Sequence, residues 1–375
     1  MAERKKILLS SPAMGGGEQK YVMKAFETNW IAPLGANVDD FETTVSEYVS
    51  SSGSLALNSG TSALHLGLKA LGVKQNDIVF CSDLTFAASC NPICYEKAKP
   101  VFIDCESESW NMSPQALERA FEKYKPAAVI VVHLYGEPAN IKAIKEICDA
   151  YHVPILEDAA ESLGATVDNK HTGTFGKMGA YSFNGNKIIT TSGGGMLVSD
   201  DIALIEKARF WSTQARDKAP HYQHSELGYN YRMSNVCAGI GLGQMEVLED
   251  HIYRKRQIRN MYEQGFENIE DIRLNPADVY GFGNHWLTCL SIDKGSSICP
   301  SDILGAMSRK NIEGRPVWKP MSLQPYYKDC PVIAHTEGDT CESWSVFERG
   351  LCLPSDLNMT DSDVEYVIET VASLF

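Results

Sequence analysis

The chain has 375 residues, 44% of them apolar and 22% charged, with a formal charge of −14 and a pI near 5.1. Such a balance describes an ordinary folded globular protein and excludes a basic field for holding nucleic acid; no Lys/Arg stripe interleaved with aromatics runs through it. Any phosphate-bearing ligand must then be met by local donors such as backbone N–H groups or single arginines, and so is small and enclosed.

Single cores stop growing at about 250 to 300 residues, so two domains are expected. At the N-terminus Arg4, Lys5 and Lys6 precede ILLSS, a run too short for the apolar part of a signal peptide, and no later segment is long enough to span a bilayer. The expectation is a cytoplasmic protein with no membrane partner. Residues 1–34 read as an arm and residues 35–250 as a large domain. Residues 251–375 read as a smaller C-terminal domain, opening with the charged amphipathic stretch HIYRKRQIRNMYEQ.

From Gly53 to Ser199 helical and extended patterns alternate, as in an α/β domain. SGTSALHLGLKALG has helical spacing at Leu64, Leu68 and Leu71, with Gly72 as its stop. Strands are predicted at 78–82, 100–104, 127–133 and 154–160, and their continuous apolar runs predict a mostly parallel sheet covered on both faces. Helices lie between them, one capped by Ser113 before Pro114 and another over 139–152. The eleven cysteines show no C-x-x-C and no zinc spacing with histidine, so they read as reduced core thiols and no metal site is expected.

Three clusters carry chemistry. Gly60, Thr61 and Ser62 open a strong helix, where orphan N–H groups and the positive dipole end suit a phosphate or simply a cap. Glu157 and Asp158 close a buried strand, and a carboxylate there serves a ligand, a metal or a salt bridge. Lys187 follows the strand GAYSFNG and precedes Gly193–Gly195; a desolvated lysine in a crevice is a nucleophilic amine, or else a point charge for phosphate. Pyridoxal 5′-phosphate asks for this set: a phosphate cup, a carboxylate at its ring nitrogen and an amine for its aldehyde. Phe86, just past a strand end, is placed to stack on the ring. A nicotinamide-binding module is disfavoured, because no G-x-G-x-x-G joins a first strand to its helix.

Taken in order, NWIAPLG, NSGTSALHL, EDAAESLGA, SFNGNKIITTSGGGM, GYNYRMSN and EGRPVWKP span nearly the whole chain. That series resembles the DegT/DnrJ/EryC1/StrS sugar aminotransferases. Within them, GNKIITTSGGGM and TQARDKAPHYQHSELGYNYR look nearest to the bacillosamine-type enzymes. The resemblance implies a fold-type I pyridoxal phosphate enzyme, with a central, mostly parallel seven-stranded sheet and a smaller C-terminal α/β domain. It implies Lys187 as the cofactor-binding lysine and acid/base, Asp158 as the partner of the ring nitrogen and Phe86 as the stacking ring. Thr61, the Ser62 amide and Ser182 would form the cup, with Gly60, Glu161 and Asn184 beside them. Asn230 would reach the neighbouring subunit's cofactor in a homodimer with shared sites. Relatives often have Gln or His in place of Glu161, which here must be protonated, turned away or paired with a cation. Related dehydratases replace the lysine, which this chain keeps. The implied reaction moves the amino group of L-glutamate to C4 of a UDP-linked 4-keto-6-deoxy-N-acetylhexosamine. A C3 enzyme acting on a dTDP-ketosugar, or a perosamine-type enzyme acting on a GDP sugar, is the alternative. Arg216, Tyr229, Arg232, Arg315 and Trp318 lie in the segments resembling substrate surfaces.

Overall fold

The computed structural model describes residues 5–338 and 340–375; Arg4, at the head of the expected arm, lies outside them. Its centre is an eight-stranded sheet, running edge to edge Gly53–Leu57, Gly195–Ser199, Met178–Ser182, Ile155–Asp158, Pro126–Val132, Ile78–Ser82, Lys99–Ile103 and Val332–Ile333. Only Gly195–Ser199 runs against the others, so seven of the eight strands end at one edge. Alternate residues serve opposite faces. Val79, Cys81, Phe102 and Ile130 pack with Leu64 and Leu68 of helix Gly60–Ala70. Phe80, Val101, Ile103 and Val131 pack with Leu117 and Ile144 of helices Pro114–Lys123 and Ile141–Ala150. Burial on both faces explains the unbroken apolar runs.

Three features depart from the expectations. The eighth strand, Val332–Ile333, comes from the chain beyond residue 250 and pairs with Phe102 and Ile103; two residues carry no readable period. The helix expected over 139–152 is shorter, because the Asn140 side chain caps it and His152 turns out at φ 58°. Within residues 1–34 there is a helix, Glu18–Glu27, seated on the glycines of helix Asn235–Met245. A Cβ added at Gly243 would stand 2.5 Å from the Glu18 nitrogen, so that close approach requires the bare backbone of VCAGIGLG.

Beyond the large sheet, a four-stranded antiparallel sheet of Ile272–Leu274, Cys289–Ile292, Gly350–Cys352 and Arg315–Pro316 packs against helices Leu248–Phe266 and Asp361–Ala372. A further apolar cluster joins Leu84, Val132 and Tyr135 to Trp286, Val317 and Cys352, fastening this part to the ends of the parallel strands. All eleven cysteines are free. Among the described residues no helix is long and apolar enough to cross a membrane.

Candidate active site

The ends of the parallel strands open into a cavity of about 330 Å³, whose lining includes Thr61, Asp158, Glu161, Ser182, Lys187 and Trp286. Each of the first four is placed by an element end: Asp158 and Ser182 close their strands, Thr61 lies in the first turn of the helix after Gly53–Leu57, and Glu161 follows Asp158 by one turn. Carboxyl ends of strands are where an α/β sheet exposes such groups.

The two adjacent carboxylates of this strand have separate tasks. Glu157 is wholly buried and accepts from His133 Nε2 at 2.9 Å and from the Gly173 amide at 2.7 Å. Because His133 Nδ1 accepts from the Ala139 amide, its proton must sit on Nε2, which fixes the tautomer that serves Glu157. Glu157 is thus a structural anchor. Asp158 faces the cavity and accepts from Ser89 Oγ at 2.6 Å and the Ala160 amide at 3.1 Å. Burial pushes its pKa up, against those two hydrogen bonds and the field of Lys187. Among the described residues no cation lies within ion-pair distance of it.

Lys187 stands in the loop joining Met178–Ser182 to Gly195–Ser199, and only 12% of its side chain is exposed. Its Nζ lies 3.5 Å from Glu161 Oε1 and 4.0 Å from the ring centre of Trp286, an ion pair on one side and a cation–π face on the other. Glu161 therefore meets a cation, and its other oxygen accepts from the Tyr135 amide at 2.7 Å. Burial raises its pKa, with Lys187 opposing. Tyr135 makes that bond from a left-handed backbone, φ 53°, held by its fully buried ring.

At the far end, the Ser59 side chain caps the helix by accepting from the Ser62 amide at 3.1 Å. The first-turn amides of Gly60 and Thr61 have no intrahelical partners, and both residues line the cavity with Ser182 and Asn184. A Cβ on Gly60 would meet that of Ser182 at 3.0 Å, so the glycine lets helix and strand end converge there.

Several expected site residues sit elsewhere. Ser62 points its hydroxyl to Asn58 Oδ1 at 2.6 Å and gives its amide to the Ser59 cap, and it does not line the cavity. Arg232 is 8% exposed and bonds Glu42 at 2.7 Å and the Ala56 carbonyl, a buried pair beside the first strand that does not line the cavity. Tyr229 stacks on Tyr231 and edges His65, and belongs to the packing around helix Gly60–Ala70. Arg216 is exposed over Tyr222, and Arg315 is exposed and pairs with Glu313 at 2.7 Å; neither lines the cavity. Asn230 is exposed, outside the cavity, and its carbonyl accepts from Asn58. Trp318 and Phe86 do line it, tilted together at 5.2 Å. Sequence reasoning missed Trp286, Ser89 and Tyr135. Ser89, three residues past Phe86, was the only one with a local signal; the others arrive through tertiary contact.

The donor set fits pyridoxal 5′-phosphate. A buried carboxylate without a cation suits a protonated ring nitrogen, an enclosed amine faces it, and a helix start with a hydroxyl neighbour suits the phosphate.

Comparison with known proteins adds to this geometry. Residues 12–372 match the DegT/DnrJ/EryC1/StrS aminotransferase family. The chain is similar to the putative pyridoxal phosphate-dependent aminotransferase EpsN of Bacillus subtilis, 51% identical over 377 residues, 99% of this chain and 96% of the relative. It is 33% identical to the GDP-perosamine synthase of Escherichia coli O157:H7 over 371 residues, 99% of each. It is 34% identical to the UDP-4-amino-4,6-dideoxy-N-acetyl-beta-L-altrosamine transaminase of Campylobacter jejuni over 237 residues, 62% of each. Among solved structures, the aminotransferase TlmJ of Streptoalloteichus hindustanus superposes with a TM-score of 0.88 at 26% identity, over 98% of this chain and 99% of that one.

Proposed function

Since the chain belongs to the DegT/DnrJ/EryC1/StrS aminotransferase family and is a pyridoxal phosphate-dependent sugar aminotransferase, we propose that it carries the amino group of L-glutamate to the C4 ketone of a UDP-linked 4-keto-6-deoxy-N-acetylglucosamine. The observation that carries the reading is a single cavity with Lys187 and Asp158 on its walls and a hydroxyl-lined helix start at its end.

Pyridoxal 5′-phosphate supplies an aldehyde that exchanges amines and a ring that takes up the electrons of a broken C–H bond. The chain's residues do the rest. Gly60, Thr61 and Ser182, with Asn184 alongside, would hold the phosphate by amides and hydroxyls. Asp158 would keep a proton on the ring nitrogen, its own orientation fixed by Ser89 and Ala160. Phe86 would cover one face of the ring. Lys187 would bind the aldehyde carbon, leave when glutamate displaces it, and then carry the proton between glutamate's α-carbon and the cofactor. With the ketosugar it would run that transfer backwards at C4. Glu161 and Trp286 keep its ammonium paired until it is called on.

The UDP and C4 assignments draw on the Campylobacter relative and on GNKIITTSGGGM and its neighbours. The full-length likeness to GDP-perosamine synthase favours a GDP sugar as the second reading. Arg216, exposed and unpaired by carboxylate in the described residues, is the better candidate for the diphosphate; Arg315 already has Glu313. Asn230, exposed and outside the lining of its own cavity, and the exposed Trp30, Ile31 and Leu34 support a homodimer in which Asn230 serves the partner's site. The test is to incubate the enzyme with glutamate and paired UDP, GDP and dTDP ketosugars and to locate the new nitrogen by NMR. Amination of the UDP sugar at C4 is expected; turnover of the GDP sugar alone selects the second reading.

A further inference from the structure

Helix Leu248–Phe266 carries two polar side chains one turn apart, of which His251 reaches the loop that bears Lys187 directly and Lys255 reaches it through Ser10 and Trp286. His251 Nδ1 lies 2.9 Å from the Ile188 carbonyl, which can only accept, so the ring donates there. Lys255 is 1% exposed and has three oxygen partners: the Trp286 carbonyl at 3.0 Å, the Ser355 carbonyl and Ser10 Oγ at 3.3 Å. Ser10 gives its only proton to the Asn186 carbonyl at 3.0 Å, so toward Lys255 it must accept. Three acceptors require three N–H bonds, which is the ammonium form. The Asn186 carbonyl also receives the Trp286 indole N–H at 2.7 Å.

A closed set of bonds therefore runs from Lys255 to the two things that locate Lys187: the indole under its Nζ and the carbonyl of the residue before it. We propose that Lys255 is a positioning residue for Lys187, acting through Trp286, Ser10 and Asn186 and touching neither substrate nor cofactor. Burial pulls its pKa down to about 7 while Asp356 opposes, so the fold holds a desolvated charge that these three oxygens and the field of Asp356 offset. Removing it leaves the Trp286 and Ser355 carbonyls short of a buried donor and frees the indole to tilt. A misplacement of about 1 Å at a reacting group is enough to cost on the order of 10²-fold in rate.

The inference rests on Lys187 as the lysine that binds the cofactor, and the experiment separates the two. Full-length protein freed of cofactor is mixed with pyridoxal 5′-phosphate, quenched with borohydride at timed intervals, and mapped by mass spectrometry. Wild type that carries no label on Lys187 overturns the assignment of Lys187 itself. With wild type labelled, Lys255→Met is expected to slow labelling of Lys187 about tenfold and to lower kcat by a similar factor, leaving KM for glutamate within about twofold. Ser10→Ala, which cuts one link without emptying the core, is expected to slow labelling about two- to threefold. Labelling at the wild-type rate in Lys255→Met overturns the proposal. Where that variant does not fold, an unchanged rate in Ser10→Ala overturns it.

Discussion

The two sides of the cavity are built differently. The cup and the ring-nitrogen side are each founded on one short stretch of chain, a helix start at Ser59–Ser62 and a strand end at Asp158, to which Ser182 and Ser89 add a hydroxyl apiece. The side under Lys187 is assembled from afar, with Trp286 bonding a carbonyl 100 residues away and Lys255 meeting Ser10 across 245. Local parts give recognition, because a strand end or helix start presents the same groups in any context. An amine proposed to react needs a fixed position, which takes packing from several directions.

The contrast can be broken most sharply at its centre. Lys187→Ala removes the proposed covalent anchor and proton carrier, and activity should fall by about 10⁴-fold or more; near-normal turnover would put the chemistry elsewhere. Next, Asp158→Asn should cost about 10² to 10³-fold in kcat while making the cofactor-free protein more stable by about 1 kcal/mol at neutral pH. The sign follows from linkage: burial raises the folded pKa of Asp158, so the folded state binds the extra proton and stability drops as pH rises from the ordinary carboxylate value of 3.8 through the raised one. Urea unfolding of both proteins should therefore agree in strong acid and separate with rising pH; parallel curves would show that no such penalty exists.

On the long-range side, Arg232→Met strands Glu42 with Arg209 as its remaining cation, and should cost about 2 to 3 kcal/mol of stability with KM for the sugar unchanged in the protein that folds. A selective rise in that KM would return Arg232 to the substrate. Smallest, Trp286→Phe keeps a ring for Lys187 but withdraws the indole donor from the Asn186 carbonyl, for a loss of about 1 kcal/mol by thermal unfolding. No change would mean that Ser10 alone suffices there.

The same division governs what could be read from the sequence. The parallel strands, the helix start at Gly60, Asp158 and Lys187 were legible because burial on two faces, capping and strand ends leave local marks. Arg232 misled for a physical reason: an arginine in a polar motif looks the same whether it awaits a diphosphate or answers Glu42, and the deciding partner is 190 residues distant. Ser62 misled more narrowly, since its amide could serve a phosphate or the Ser59 cap and the rotamer of Ser59 decides. Trp286 left no trace in spacing, as one tryptophan before a short strand is equally at home in any core.

The helix seated on the glycines near residue 240 has a practical corollary. Its first residue, Glu18, accepts from Gln244 at 2.6 Å, and Gln244 in turn accepts from the amide of Thr190, three positions past Lys187. A shortened version of the protein that drops this leading segment would thus not simply lose a dispensable tail. It would slacken the loop that carries Lys187 at a point other than the one held by the helix of Lys255.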